Sequence, residues 1–161
     1  MINIYDLGDQ PRLTATFSVN DVNTTPTAAV LIVKHPDGTY KSFLSSGFAS
    51  QGSWNASENT PTLENETGTA GHYYTVSVAG SVDFGDGSQA FAAGDYVAYD
   101  GESWLKIPTP QSGNLSLEDV GILYYDLPLH QHGRYVYRFE GFGNVHAAGE
   151  MALRVLHSSI R

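Results

Sequence analysis

Hydrophobic and polar residues alternate along much of the chain. In RLTATFSV every second side chain is apolar or small, which puts Leu13, Ala15, Phe17 and Val19 on one face of a predicted strand. AAVLIVKHPDGTYKSF begins as an unbroken apolar run, passes through a Pro36-Asp37-Gly38 turn and returns as a second strand, the pattern of a buried strand with its hairpin partner. GILYYDLPL and GRYVYRFEG give two further strands, and EMALRVL gives the last. The final hairpin is expected to bury Tyr135, Tyr137, Phe139, Met151, Leu153 and Val155. A short strand over Ile2 to Tyr5 brings the count to seven.

Seven short strands separated by turn signals predict an all-β protein, with an immunoglobulin-like β-sandwich as the host fold. Within H-G-R-Y-V-Y, Tyr135 takes the place of a tyrosine corner, whose hydroxyl bonds to backbone a few residues upstream, and Tyr137 stands where antibody domains place their second cysteine. The chain has no cysteine, so aromatic packing must supply the pinning that a disulfide gives elsewhere. The same absence excludes a thiolate zinc site and a cysteine nucleophile.

Charge divides the chain. From Gly52 to Pro108 eight acids (Glu58, Glu64, Glu66, Asp83, Asp86, Asp95, Asp100 and Glu102) face one base, Lys106, a net of −7; the remainder holds nine acids and seven bases, a net of −2. The step is flanked by SSGFASQGS and PTPQSGN, and it marks residues 52–108 as an acidic, hairpin-rich β module inserted into a host domain of residues 1–51 plus 109–161. In the module HYYTVSVAG reads as a strand, VDFGDGSQAF as a turn-rich crossing, and GDYVAYDGESWLKI as a hairpin on Asp100-Gly101. So small a unit is expected to depend on Trp54, Tyr74, Tyr96 and Trp104 and on its attachment to the host. A formal charge of −9 argues against nucleic acid as a partner, because that affinity comes from cations. MINIYDLGDQPRL has neither the basic start nor the apolar run of a signal peptide, and no later stretch is long and apolar enough to span a bilayer, so a soluble chain made in a cytoplasm and without a membrane partner is expected.

Candidate chemistry is sparse. His130 and His132 form an H-x-H, but the pair directly precedes the predicted corner and no third ligand is fixed near it, so no metal is assigned. DFGDGS, with Asp83 and Asp86, lacks the alternating oxygen ligands and closing glutamate of a calcium loop. There is no G-x-S-x-G elbow, G-F-G at Gly141–Gly143 lacks a strand-to-helix setting, and any carboxylate pair drawn from seventeen acids is arbitrary. No catalytic residue and no cofactor is therefore assigned, and the chain is not expected to be an enzyme. Two kinds of binding residue stand out. Arg134, Arg138 and Arg154 are candidate docking anchors, since arginines often dominate interfaces. Tyr73, Tyr99 and Trp104, if exposed together, form a candidate stacking platform for a cell-surface glycan.

Two ordered series of words carry a family resemblance. Residues 52–107 contain W-N-A-S-x-N-T-P-x-L, then G-T-x-G-x-x-Y-x-V-S-V-A-G, then F-x-x-G-D-x-V-x-Y-x-G-x-x-W-x-K-I, and this segment resembles a module that recurs in bacteriophage tail-fibre and other virion proteins. The rest of the chain contains Y-D-L-G-D-x-x-R-L-T-A-T-F, V-K-x-P-D-G-T and G-x-Y-x-Y-R-F-E-G-x-G-x-V-x-A-A-x-E, and resembles short phage proteins with an immunoglobulin-like domain found among head and head-tail genes. Those proteins usually have a short turn where this chain has its module. The resemblance implies a non-enzymatic structural protein of a tailed-phage virion, a head decoration or cement protein or a neck accessory. It would be made in the bacterial cytoplasm, dock on capsid, neck or tail proteins and on copies of itself, and carry the module projecting outward.

Overall fold

Strands account for all the regular structure among the described residues. The computed structural model describes residues 2–146 and 149–156, and within them the chain is all-β, with 57% of residues in strands and no helix. The strands in chain order are β1 (Asn3–Asp6), β2 (Arg12–Thr16), β3 (Ser18–Val19), β4 (Val22–Asn23), β5 (Ala28–Lys34), β6 (Tyr40–Leu44), β7 (Ala49–Asn55), β8 (His72–Val78), β9 (Gly80–Asp83), β10 (Ser88–Phe91), β11 (Tyr96–Tyr99), β12 (Trp104–Ile107), β13 (Pro110–Asn114), β14 (Ser116–Asp119), β15 (Ile122–Asp126), β16 (Gly133–Phe142) and β17 (Gly149–Leu156).

A six-stranded sheet, in the order β1-β17-β16-β5-β6-β13, shares a hydrophobic core with a three-stranded sheet, β14-β15-β2. Leu13, Phe17, Leu123 and Leu127 enter this core from the smaller sheet and its flanks, and Leu31, Val33, Tyr135, Phe139 and Leu153 enter from the larger. Beyond the larger sheet lies a third, β12-β11-β8-β7. One of its faces meets the six-stranded sheet in a cluster of Ala28, Val30, Ile32, Ala98, Ile107 and Phe142. The opposite face carries a core of its own, with Trp54, Val76, Val97, Tyr99 and Trp104 packed against Phe84 and Phe91 of the β9–β10 hairpin region.

Period-two alternation explains why AAVLIVK is apolar throughout. Successive side chains of a strand point to opposite faces, so Ala29, Leu31 and Val33 fill the first core while Ala28, Val30 and Ile32 meet the β7–β12 layer. That layer therefore lies flat on the sheet and does not project from it.

The corner expected at Tyr135 is formed. Its ring is fully buried, and its hydroxyl oxygen accepts the Gln131 N–H at 3.0 Å. The Gln131 side chain donates to Asp37 Oδ2 at 2.9 Å and ties this loop to the β5–β6 turn. Asp37 also accepts from the Thr39 hydroxyl and backbone N–H, at 2.6 and 2.9 Å. These bonds, with that from Gln131, hold its carboxyl well below the usual range, at about 2.

Three core assignments change. Val19 is 40% exposed, because the chain leaves the sheet after Phe17 into the β3–β4 hairpin, turning at Asn20 and Asp21 with φ of 49° and 63°. Met151, in phase with Leu153 and Val155, is 44% exposed: β1 begins opposite Leu153 and does not reach it. Tyr96 belongs to the face turned towards the six-stranded sheet, whereas Trp54, Trp104 and Tyr74 pack in the core on the other face.

The packing yields two stability predictions. Phe142→Ala, which empties the seam between layers, is expected to lower the urea-unfolding free energy by about 3–5 kcal/mol. Tyr135→Phe removes the acceptor of a half-buried backbone N–H and is expected to cost about 1 kcal/mol in the same measurement.

Candidate functional site

The outward face of β16 changes character along its length. Arg134, Val136, Arg138, Glu140 and Phe142 share that face by alternation. Phe142 at one end is covered by the β7–β12 layer, while Arg134 and Arg138 at the other are exposed. Where the cover stops, a cleft of about 720 Å³ opens between the layers. Its apolar floor includes Ile32, Leu105 and Val136, and its charged wall holds Lys34, Lys106, Arg134, Arg138, Glu140 and Glu150.

Four of the chain's eight lysines and arginines thus line one cleft in a protein of net charge −9. Strand register gathers them: Val136 lies opposite Lys34, Arg138 opposite Ile32 on one side and Glu150 on the other, and Arg134 opposite Arg154. All three candidate docking arginines therefore share the outward face, with Arg134 and Arg138 in the cleft and Arg154 beside it. Lys106 comes from the other layer. Its ammonium lies 3.7 Å from Asp95, a buried carboxylate that accepts from the N–H groups of Ala92 and Thr109 at 2.8 and 3.1 Å and so fixes the ends of the β11–β12 hairpin. The Ser42 hydroxyl, bonded to the Pro108 carbonyl at 2.5 Å, secures the same corner to β6.

The cations differ in how far they are committed. Arg138 Nε lies 3.1 Å from Glu140, and Lys34 lies 5.7 Å from the centre of the Tyr40 ring. Arg134 has no ion pair among the described residues. Elsewhere Arg12 is occupied by Asp126 at 2.9 Å and by the Tyr124 ring. Burial pushes the Glu140 carboxyl up, Arg138 opposes that shift, and Asp100 adds to it. Among the described residues no histidine, serine, threonine or cysteine lines the cleft. What the arrangement offers is recognition of anionic groups over an apolar floor, by charge-assisted hydrogen bonds from forked guanidinium groups.

The glycan platform is not assembled. Tyr99 and Trp104 are buried, at 4% and 5% exposure, and the Trp104 indole N–H donates to the Glu64 and Thr67 carbonyls at 3.0 and 3.1 Å. Tyr73 pairs with Ala98, one residue out of step with Tyr99, so it faces the opposite side of the sheet and stacks on Tyr96 at 4.4 Å. The aromatic that accompanies Trp104 at a surface cavity is Tyr74, beside Gln51, Glu64 and His72 around about 260 Å³. Tyr74 pairs with Val97 on the Trp104 face. The choice between Tyr73 and Tyr74 turns on a one-residue phase that the word HYY leaves undetermined.

The other candidates resolve into local structure. His130 and His132 lie in the loop before β16, where His132 Nδ1 is 3.2 Å from the Leu156 carbonyl. Asp83 closes the β9–β10 turn by accepting from the N–H groups of Gly85 and Gly87 at 2.7 and 3.1 Å. Among the described residues no three His, Asp or Glu side chains are grouped to hold a metal ion, and no helix is long and apolar enough to cross a membrane. His35 is buried against Tyr135, with ring centres 5.1 Å apart; burial pushes its pKa down, and it does not line the cleft.

Known proteins supply no template. No family profile, curated protein or solved structure matches this chain.

Glu140 gives the site a pH signature. Between the ordinary carboxyl value of 4.5 and its raised value, the folded chain holds a proton that the unfolded chain has lost, so stability falls as pH rises through that window. Glu140→Gln is expected to remove this slope when urea unfolding is measured from pH 4.5 upwards. An unchanged slope would show that Glu140 is not its source.

Proposed function

We propose that this chain is a non-enzymatic structural component of a tailed-phage virion, a head decoration or neck accessory protein that works by docking on other particle proteins. The single observation that carries the docking reading is the cation-lined cleft on the outward face of β16, which gathers Arg134 and Arg138 with Lys34 and Lys106. Such a face suits a protein surface that presents carboxylates. It suits nucleic acid poorly, because Glu140 and Glu150 stand among the cations and the whole chain carries −9.

An immunoglobulin-like host fold is part of the same reading. With β2, β15 and β14 as strands B, E and D, and β5, β16 and β17 as C, F and G, the sheet orders agree with that sandwich, and β6 extends the second sheet as C′ does in variable domains. The bond from Gln131 to Tyr135 supports it further. The β7–β12 layer then occupies the connection that follows C′ and covers half of the C-F face, so docking falls to the half left open. The ordered phage words in both parts of the sequence support a place in the virion, with synthesis in the bacterial cytoplasm.

A glycan-binding role for the β7–β12 layer has one feature in its favour, the cavity bordered by Tyr74 and Trp104. Trp104, at 5% exposure, offers little face for stacking, and docking is the better-supported reading.

Incorporation into particles tests the proposal. Virions assembled with the Arg134→Glu/Arg138→Glu chain are expected to retain about tenfold less of it than of the unaltered chain, by quantitative mass spectrometry, since two interface anchors are reversed. Equal incorporation, or absence of the unaltered chain from virions, overturns it.

A further inference from the structure

Unlike charges sit on opposite sides of the β7–β12 layer. The side turned to the six-stranded sheet borders the cleft with Lys34, Arg134 and Arg138, and Lys106, which alternates onto the Trp104 face of β12, reaches the cleft rim around that strand. The far side, built over Tyr99 and Trp104, carries exposed Glu64, Glu66 and Glu102. The segment that carries Glu64 and Glu66 packs over this side with Gly68 against the Tyr99 ring, and Glu102 lies in the turn that leads into Trp104. The Glu64 loop is held there by the Trp104 N–H. A sheet and the clusters on its two faces separate the two patches, so they do not meet within one chain.

The spacing of the cations narrows what fills the cleft. Arg134 and Arg138 are four residues apart on one strand, or about 13 Å. That spacing suits several carboxylates fixed on a folded surface, each met by its own guanidinium group. The cleft's own Glu140 and Glu150, together with its apolar floor, call for an occupant that also offers N–H donors and aliphatic surface, as a protein does. The Glu64, Glu66 and Glu102 surface has that chemistry.

We propose that the cleft of one copy receives the Glu64, Glu66 and Glu102 face of a second copy of this chain. This rests on the docking reading above and names the partner at that cleft. The contact is heterologous, each copy giving one patch and receiving the other, so it propagates and closes into a ring if the rotation permits. The net charge of −9 opposes association at long range, but at physiological salt that repulsion is screened beyond about 8 Å, while charges closed into a contact are screened much less.

Sedimentation velocity across a concentration series at about 0.15 M salt reads the contact directly. The unaltered chain is expected to associate as concentration rises. Arg134→Glu/Arg138→Glu, and separately Glu64→Lys/Glu66→Lys/Glu102→Lys, each set like charges against like and are expected to weaken association by about tenfold or more. An equimolar mixture of the two variants makes both contacts complementary again and restores it. Arg134→Gln and Glu102→Gln, which add no repulsion, are expected to weaken it by a smaller factor, and thermal melts check that every variant is folded. A monomer at all concentrations, association indifferent to either reversal, or a mixture that stays dissociated overturns the proposal. Virion incorporation measured on the same variants separates the two readings: loss of incorporation by the arginine variant of a chain that is monomeric in solution overturns the self-contact and leaves docking on another particle protein standing.

Discussion

Burial of β5 on both faces is the constraint on which the other layers depend. A strand in a two-layer protein needs one apolar face, and here Ala28, Val30 and Ile32 make the second face apolar as well. Water must be kept from both, so the six-stranded sheet needs a cover on each side. The three-stranded sheet supplies one cover and the β7–β12 layer the other, so each is a structural partner of the six-stranded sheet. The same seam sets the limits of the cleft, because the apolar stretch ends where Lys34, Arg134 and Arg138 begin.

Much of this was legible in the sequence where a single strand decides the outcome. The strands of the outer segments, the turn at Asp37-Gly38, the Asp100-Gly101 hairpin and the corner at Tyr135 follow from alternation and turn chemistry, which are local properties. Errors arise where neighbours decide. Met151 has the right phase, but its exposure depends on where β1 starts, and Val19 depends on the chain leaving the sheet after Phe17. Tyr73 and Tyr99 both read as aromatic strand residues, yet their faces follow from the pairing of Tyr73 with Ala98, which no local pattern fixes.

The site was legible to the same degree. The arginines of β16 stand out in an acidic chain, and their spacing puts them on one face. Lys34 and Lys106 reach that face from strands about 100 and 30 residues away in sequence, and only the sheet order and the anchoring of the β11–β12 hairpin by Asp95 bring them there. A charge plot of 52–108 averages Lys106 into a strongly negative segment, and hides the one cation of that segment at the edge of a positive cleft.

The parallel pairing of β1 with β17 also has a mechanical consequence. Asn3 lies opposite Leu153 and Asp6 opposite Leu156, so the first and last strands run side by side in the same direction. A pull applied through the residues that flank them, upstream of β1 and downstream of β17, draws the two strands past each other along their length. Their ladder is then loaded in shear, its bonds sharing the force, where a hairpin pulled open at its end would lose them one at a time. Tension along the chain therefore meets its first resistance at the edge of the six-stranded sheet, before it reaches either core.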